Sequence, residues 1–425
     1  MHTSQFVPQE QALTTRYEAL KARHLTLDLT RGKPAPSQLD LSNALDGILQ
    51  GGYHIDGVDL RNYYGLDGLP SAKQLGAELL EVPADNVLVG GNSSLTLMYH
   101  TVLHALHMGV RGPESAWAKH GPVKFLCPVP GYDRHFAMCE ELGIVLVPVA
   151  MTDTGPDMDQ VEHLVKSDPA VKGLWCVPKY SNPTGCVYSE STVERLAALG
   201  TMASAHFRVL YDNAYAVHDL TDEPPPLANL WQACQRHGTL DSVVQFTSTS
   251  KITFAGAGLA FMATSSANLA SFKTHLQFVT IGPDKINQQR HVLLLQAVGG
   301  IRALMKRHAA LLQPKFHCVL RVLAQGLGSQ AIGHWSKPAG GYFISFYTLP
   351  GLATEVVRLA SEAGVKLVPA GTAYPYGHDP ADSHIRLAPS FPSLTELEQA
   401  MEVFIICVQL ATLRQRAHQC AAQAV

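Results

Sequence analysis

Short apolar runs alternate with helical segments through the middle of the chain. In "SSLTLMYHTVLHALHMG" the apolar residues recur at helical spacing and place Leu95, Met98, Val102 and Leu106 on one face. Another helix is predicted in "SESTVERLAALG", with Ser191 as its N-cap. The apolar runs of strand length are "NVLV", "VKFLCPV", "IVLVPV", "VKGLWCVP", "FRVLYDN" and "SVVQFTS". Strands that alternate with helices form largely parallel sheets covered on both faces, so the pattern predicts an α/β fold.

The pattern changes in the C-terminal part of the chain. A long helical stretch over Ile301–Leu327, in which Pro314 is expected to produce a kink, leads into "GGYFISFYTL", "VKLVPAG", "HIRLAPSF" and a final helix. This order predicts a smaller α+β unit. The first residues of the chain carry little sheet signal and are expected to pack with that unit. We therefore predict a large domain over residues 53–299 and a small domain built from residues 1–52 and 300–425.

The composition is that of a folded globular protein, with 46% hydrophobic and 16% charged residues among 425. A formal net charge of -3 argues against a nucleic-acid-binding surface, and no basic run indicates contact with a membrane. The eight cysteines contain no CxxC pair, which is typical of reduced cytosolic thiols. There is no signal-peptide pattern, and the longest apolar run, "VFIICVQLATL", is too short to span a bilayer. We expect a cytoplasmic protein without a metal site.

Four polar clusters follow apolar strands. They are "GGNSSL" after "NVLV", "SNPTG" after "GLWCVP", "YDNAY" after "FRVL", and "STSK" after "VVQFT". In an open α/β sheet, ligands bind at the carboxyl ends of the strands. The four clusters are therefore expected to converge on one site.

One part of this site is suited to a phosphate group. Asn92, Ser93 and Ser94 open a predicted helix, where backbone N–H groups and hydroxyls favour an anion. Ser248 and Ser250 add hydroxyls from the "STSK" cluster. Each cluster alone is also compatible with an ordinary loop that binds no ligand.

The other part is suited to a heterocyclic aldehyde. Lys251 stands among hydroxyls rather than carboxylates and can form a Schiff base. Asp212 can hold a proton on a ring nitrogen, and Tyr215 and Asn182 can donate hydrogen bonds to a phenolate oxygen. Taken singly, these residues have ordinary interpretations: a solvated lysine, a helix cap, a packed aromatic ring and a turn. Together they describe a site for pyridoxal 5'-phosphate.

The combination resembles the fold-type-I pyridoxal-phosphate aminotransferases of class I/II, over almost the whole chain. "NPTG", "YDNAY" and "STSK" match motifs of that family. The resemblance implies that Lys251, Asp212 and Tyr215 are catalytic. "YYGLDGLPSAKQL" implies that Tyr64 reaches the cofactor phosphate of the other subunit, and "PVPGYDRHF" implies that Tyr132 stacks on the cofactor.

The resemblance also implies how substrate is bound. "HIRLAPSF" resembles the segment whose arginine holds the substrate α-carboxylate, which is Arg386 here, and Gly32 and Asn182 are expected beside it. "LTRGKPAPSQLDLS" and "KITFAGAGLAF" resemble the class Ic aspartate aminotransferase and MocR-type subgroup. The implied reaction is the conversion of L-aspartate and 2-oxoglutarate to oxaloacetate and L-glutamate by a homodimer. The implied partners are a small-molecule amino acid and a 2-oxo acid.

Two alternatives remain open from the sequence. The same motifs occur with other pyridoxal-phosphate reactions, such as β-elimination and decarboxylation, which unlike transamination do not require a 2-oxo acid. A non-catalytic MocR-type sensor domain is the second alternative. Such a regulator carries a DNA-binding region ahead of this domain, and residues 1–52 show no recognition-helix pattern.

The chain departs from the family pattern at the phosphate. Many relatives place an arginine shortly after the Schiff-base lysine, whereas this chain has Leu259 in "GAGLAF". A buried phosphate dianion without a cationic partner is unfavourable, so another residue is expected to supply the charge. Arg290, in "DKINQQRH", is the first candidate, and Arg31, in "LTRGKP", is the second.

Overall fold

The structure, a computed structural model, describes residues 6–55 and 57–422. Helices cover much of the surface on both faces of a central sheet. In chain order they are α1 (Phe6–Lys21), α2 (Pro36–Leu39), α3 (Pro70–Leu80), α4 (Ser94–Leu103), α5 (Asp133–Glu141), α6 (Met158–Ser167), α7 (Glu190–Ala198), α8 (Leu230–His237), α9 (Ser266–Leu276), α10 (Lys285–Ala297), α11 (Ile301–Leu327), α12 (Ala353–Glu362) and α13 (Leu394–Ala422).

The strands are short and mostly buried. In chain order they are β1 (Leu27–Asp28), β2 (His54–Ile55), β3 (Val58–Asp59), β4 (Val87–Val89), β5 (Lys124–Val129), β6 (Val145–Thr152), β7 (Gly155–Pro156), β8 (Val171–Cys176), β9 (Arg208–Asp212), β10 (Val243–Ser248), β11 (Ala260–Thr264), β12 (Gly333–Trp335), β13 (Ile344–Thr348), β14 (Val365–Lys366) and β15 (His384–Leu387).

An eight-stranded sheet forms the centre of the molecule, in the order β4-β11-β10-β9-β8-β5-β6-β7. The strands from β10 to β6 in this order are parallel, whereas β11 is antiparallel to both of its neighbours. The α/β fold with a mostly parallel sheet is thus confirmed. Strands β8, β9 and β10 are buried along their whole length, so they carry apolar residues on both faces.

The two ends of the chain pack together. β1 pairs in parallel with β14, Leu27 opposite Val365, and α1 packs against α13. Tyr17 of α1 lies in the same apolar core as Phe346 and Phe404, whose rings meet edge to face at 5.0 Å. β12, β13 and β15 form a separate antiparallel sheet beside this core. The boundaries of the two domains, at residues 53 and 299, stay predictions.

Local details differ from the sequence expectations in one place. The N-cap of α7 is Ser189, whose hydroxyl accepts a hydrogen bond from the backbone N–H of Thr192, so the prediction of Ser191 was wrong. Helix α11 runs unbroken through Pro314. All eight cysteines are free thiols. None of the helices in residues 6–55 and 57–422 has the combination of length and apolarity that crossing a bilayer requires.

Candidate active site

A cavity of about 650 Å³ lies at the carboxyl ends of the parallel strands. The predicted site residues that line it are Gly32, Ser93, Ser94, Tyr132, Asn182, Asp212, Tyr215, Ser248, Ser250, Lys251 and Arg386. Three predicted residues, Asn92, Tyr64 and Arg290, do not line it. The structure therefore brings the four strand-end clusters together with Arg386, which is far from them in sequence.

Lys251 follows β10 and projects into the cavity. Its Nζ lies 4.9 Å from the centre of the Tyr215 ring and 6.0 Å from that of Tyr342. Burial lowers the pKa of the Lys251 ammonium, and the Asp212 carboxylate partly opposes this shift. A lowered pKa increases the share of neutral amine, which is the form that acts as nucleophile or base.

His218 and Thr249 stabilise the turn that carries Lys251. Nε2 of His218 lies 3.3 Å from the backbone oxygen of Lys251, and burial lowers the pKa of His218 to about 3. The Thr249 hydroxyl accepts a hydrogen bond from the backbone N–H of Leu259 at 2.8 Å. Leu259 is itself buried, so the position where many relatives carry a phosphate-binding arginine belongs to the apolar core here.

Asp212, at the end of β9, has one oxygen with a partner and one without. Its Oδ2 lies 3.1 Å from Nε2 of His135. The His135 ring stacks on Trp175 with 4.2 Å between ring centres, which fixes its orientation. Asp212 Oδ1 is buried and has no hydrogen-bond partner among the described residues. A buried carboxylate oxygen is stable only with a donor, so this atom fits a ligand that presents a protonated nitrogen.

Tyr132 and Tyr215 present phenol groups to the same cavity. Burial raises the pKa of Tyr215 well above its usual value, and the neighbouring Tyr132 and Asp212 raise it further. Burial and the Asp212 charge likewise raise the pKa of Tyr132. Both phenols therefore remain protonated near neutral pH and can donate hydrogen bonds.

Arg386, on β15, is held by contacts to three separate parts of the chain. Nη1 donates to Asn182 Oδ1 at 3.2 Å and lies 3.5 Å from Asp133 Oδ1, and Nη2 donates to the Thr30 carbonyl at 3.2 Å. The guanidinium carbon lies 4.7 Å from the centre of the Phe343 ring. Nε of Arg386 has no partner among the described residues. This fixed guanidinium retains donor capacity for a carboxylate in the cavity.

Gly32 is required where it stands. A side chain at this position would put its Cβ within 2.4 Å of the Phe343 ring, which packs against Arg386. The absence of a side chain lets the N-terminal segment approach the arginine closely.

The open end of α4 provides hydrogen-bond donors. Ser93 is the N-cap residue, but its hydroxyl makes no capping bond. Ser93 and Ser94 line the same cavity as Ser248 and Ser250. The hydroxyls of Ser248 and Ser250 lie 3.1 Å apart. Hydroxyls and helix N–H groups at one end of the cavity fit a phosphate.

Arg290, the first candidate for the cation that pairs with the phosphate, does not line this cavity. Arg290 lies on α10, where its Nε donates to the carbonyl of Leu45 at 2.8 Å. Arg31, the second candidate, does line the cavity. The Asn92 side chain donates a hydrogen bond to the Gly256 carbonyl. The backbone carbonyl of Asn92 accepts one from the Ser250 hydroxyl. The roles predicted for Arg290 and Asn92 toward the cofactor stay predictions.

Tyr64 lies outside the cavity of its own chain and is 41% exposed. This placement is compatible with its predicted role in the site of the partner subunit, which stays a prediction.

The residues that hold Asp212, Lys251 and Arg386 in position were not identified from the sequence. His135 and His218 contact Asp212 and Lys251, and Thr30 and Asp133 contact Arg386. For His135 there was a signal: it stands three residues after Tyr132 at the start of a helix, so both side chains project from the same turn.

The chain matches the family described as aspartate amino-transferase over residues 1–420. The aspartate aminotransferase of Corynebacterium glutamicum is 46% identical over 398 residues, covering 93% of this chain and 92% of that protein. The crystal structure of an aspartate transaminase from that organism is similar with a TM-score of 0.93 at 43% identity, over 98% of each chain. LysN, an α-aminoadipate aminotransferase of Thermus thermophilus, shares the fold at 20% identity, with a TM-score of 0.75 over 92% of this chain and 95% of that one. Since the family match and the relatives extend over nearly the full length, the chain belongs to the aspartate aminotransferase family.

Proposed function

We propose that the protein is a pyridoxal-phosphate-dependent enzyme that converts L-aspartate and 2-oxoglutarate to oxaloacetate and L-glutamate. The observation that carries the proposal is the convergence of Lys251, Asp212 and Arg386 on one cavity. Aminotransferases of this family depend on pyridoxal phosphate. The relative named aspartate aminotransferase supports the choice of amino donor.

The side chains present fit the parts of this cofactor. Asp212 Oδ1, which lacks a partner within the described residues, would accept the hydrogen bond of a protonated ring nitrogen. Tyr215 and Asn182 would donate to the ring oxygen. The start of α4 and the serine hydroxyls would hold the phosphate. Lys251 would carry the aldehyde carbon.

The lysine and the aspartate divide the proton chemistry between them. Bound pyridoxal phosphate supplies an electrophilic carbon for the substrate amine and a ring that withdraws electrons from the substrate Cα. Nζ of Lys251, with its pKa lowered by burial, would take the proton from that Cα and deliver it to the carbon that carried the aldehyde. Asp212 would hold a proton on the ring nitrogen, and the contact with His135 orients its carboxylate. Tyr132 lines the cavity beside them, with its ring centre 4.9 Å from that of His135.

The cationic wall of the cavity favours a substrate with two carboxylates. Arg386 is fixed by its contacts and is the candidate for the α-carboxylate. Lys33 and Arg134 line the same cavity and supply positive charge for a second carboxylate. L-aspartate, L-glutamate and their 2-oxo acids carry both groups.

A substrate screen tests this function directly. The holoenzyme is given single L-amino acids with and without 2-oxoglutarate, and both consumption of the amino acid and formation of L-glutamate are measured. We expect turnover with L-aspartate only when 2-oxoglutarate is present. Product formation without the 2-oxo acid would instead indicate β-elimination or decarboxylation.

We also propose that two chains form a homodimer around the Tyr64 segment. Tyr63, Phe278 and Ile281 are apolar side chains exposed by 77%, 84% and 62%. They belong to two adjacent loops, since a Cβ at Gly282 would come within 3.4 Å of the Tyr64 carbonyl. Exposed apolar groups clustered in this way are typical of a subunit interface. The mass in solution, measured by light scattering, distinguishes a dimer from a monomer.

The Arg386→Lys variant is expected to bind both substrates more weakly. An ammonium group cannot reproduce the two parallel hydrogen bonds of a guanidinium to a carboxylate. KM should rise roughly tenfold or more for L-aspartate and for 2-oxoglutarate, given the strength of hydrogen bonds to charged groups. Steady-state kinetics measure this, and Arg358→Lys is the control, because Arg358 pairs with Glu355 and Glu362 on the surface of α12 and does not line the cavity. Unchanged KM values for both substrates would remove Arg386 from the substrate site.

The phosphate cation is tested by titrating apoenzyme with pyridoxal phosphate. We expect Arg31→Ala to weaken cofactor affinity by roughly tenfold, since a hydrogen bond from a charged group is lost. Arg290→Ala tests the alternative that its guanidinium leaves the Leu45 carbonyl or acts across a dimer interface. If wild type and both variants bind the cofactor equally well, hydroxyls and backbone N–H groups alone hold the phosphate.

A further inference from the structure

A second cavity, of about 1010 Å³, is larger than the active-site cavity and lies behind it. Tyr211 and Gln245 form part of its wall and are direct neighbours on β9 and β10. Because successive side chains of a strand point to opposite faces, Tyr211 faces away from the side that Asp212 presents to the active site. The other walls are α11, the end of α3 and the loop that contains Pro224, Pro225 and Pro226. We call this space the back cavity.

Three buried polar groups of the back cavity have no partner. They are Tyr211 Oη, Asn213 Oδ1 and Gln245 Nε2, and their residues are 1%, 8% and 3% exposed. None of the three atoms has a hydrogen-bond partner among the residues that the structure describes. Buried polar atoms are rarely left unpaired, and three in one wall indicate that an occupant completes them. A phenol and an amide N–H donate whereas an amide oxygen accepts, so together they match the C=O and N–H of an amide.

Charged side chains of both signs line the same cavity. Arg302 and Lys306 lie one turn apart on α11, and Glu78 and Glu81 lie at the end of α3. Within residues 6–55 and 57–422, none of these four side chains is in an ion pair. Lys179, which also lines the cavity, is different, since it lies 2.7 Å from Asp219. The free cations and the free carboxylates therefore come from two different helices.

We propose that the back cavity binds an extended zwitterion of dipeptide size. Its carboxylate pairs with Arg302 and Lys306, its ammonium group with Glu78 and Glu81, and its peptide bond with Tyr211, Asn213 and Gln245. A free α-amino acid carries its two charges on the same carbon and has no peptide bond, so it leaves the polar wall unpaired. The volume lies at the upper end of the range for small-molecule sites and accommodates a dipeptide. This proposal is independent of the reaction at Lys251.

The experiment is isothermal titration of the holoenzyme with L-alanyl-L-alanine. We expect saturable binding of one molecule per chain. L-alanine lacks the charge separation, and N-acetyl-L-alanine N-methylamide lacks the charges. Both are therefore expected to bind at least tenfold more weakly. Absence of saturable dipeptide binding, or equal binding of the uncharged probe, would overturn the proposal.

Surface variants locate the site without disturbing the fold. Arg302→Gln with Lys306→Gln, and separately Glu78→Gln, are expected to weaken dipeptide binding at least tenfold, because each removes the charge for one end of the ligand. Arg307→Gln is the matched control, since Arg307 is exposed on the same helix but does not line the cavity. Tm values confirm that the variants are folded. Dipeptide binding that is as tight in the first two variants as in Arg307→Gln places the ligand elsewhere and refutes the proposal.

Discussion

The Lys251→Ala variant is expected to lose aminotransferase activity by a factor of about 10⁴, the upper end of the range for a missing acid–base group at the reacting carbon. The Nζ that Lys251 places in the cavity has no substitute there: Lys33 lies over the Phe391 ring, 3.8 Å from its centre. The variant is also expected to lose the visible absorption of lysine-bound cofactor. Turnover of L-aspartate with 2-oxoglutarate and the absorption spectrum measure the two effects.

Lys166→Ala is the control for this variant, since Lys166 lies on the surface of α6 in an ion pair with Glu162. It should retain full activity and the wild-type spectrum. If the cofactor of Lys251→Ala stayed attached to the protein through borohydride reduction and dialysis, the Schiff base would be at another residue.

The Asp212→Asn variant is expected to fold normally and to lose roughly 10²- to 10⁴-fold in kcat. Asparagine has the shape of aspartate and keeps a contact to His135, but a neutral amide does not stabilise a proton on the ring nitrogen. Stopped-flow and steady-state kinetics, together with Tm, separate the chemical effect from stability. Activity like that of wild type would show that the ring nitrogen is not held by this carboxylate.

Asp379→Asn is the matched contrast, because Asp379 is equally buried but its oxygens accept three backbone hydrogen bonds, from Ala381, Ser383 and His384. We expect this variant to lose stability while the folded enzyme retains its kcat. The difference between the two aspartates is that both oxygens of Asp379 have partners inside the protein, whereas Asp212 Oδ1 has none within residues 6–55 and 57–422.

The fold and much of the cavity could be predicted because strand order and strand-end chemistry are local properties of the sequence. Apolar runs of strand length became β5, β6, β8, β9 and β10, and the polar residues after them meet at one edge. The aminotransferase prediction is confirmed by the family match. The direction of β11 was not predicted, since a short strand of small residues does not reveal which way it runs against its neighbours.

Contacts between distant segments could not be predicted in the same way. His135 meets Asp212 across 77 positions of sequence, and only the packing of α5 on the sheet places them together. The preference for Arg290 over Arg31 rested on its place after the last strands of the large domain and on a contact across a dimer interface, which stays a prediction, whereas Arg31 lines the cavity within one chain. The role of Tyr64 depends on contact with a second chain, and no sequence pattern shows which surfaces of two chains meet.

The contacts of Arg386 have a consequence for the order in which a newly synthesised chain acquires its properties. Lys251, Asp212 and the start of α4 all leave the ribosome before residue 386 is made. Arg386 then docks on Asn182, made 204 residues earlier, and on Thr30, made 356 residues earlier. Groups suited to the cofactor are thus complete in a nascent chain before the groups that select an α-carboxylate. Substrate recognition is the last property that translation adds to this enzyme.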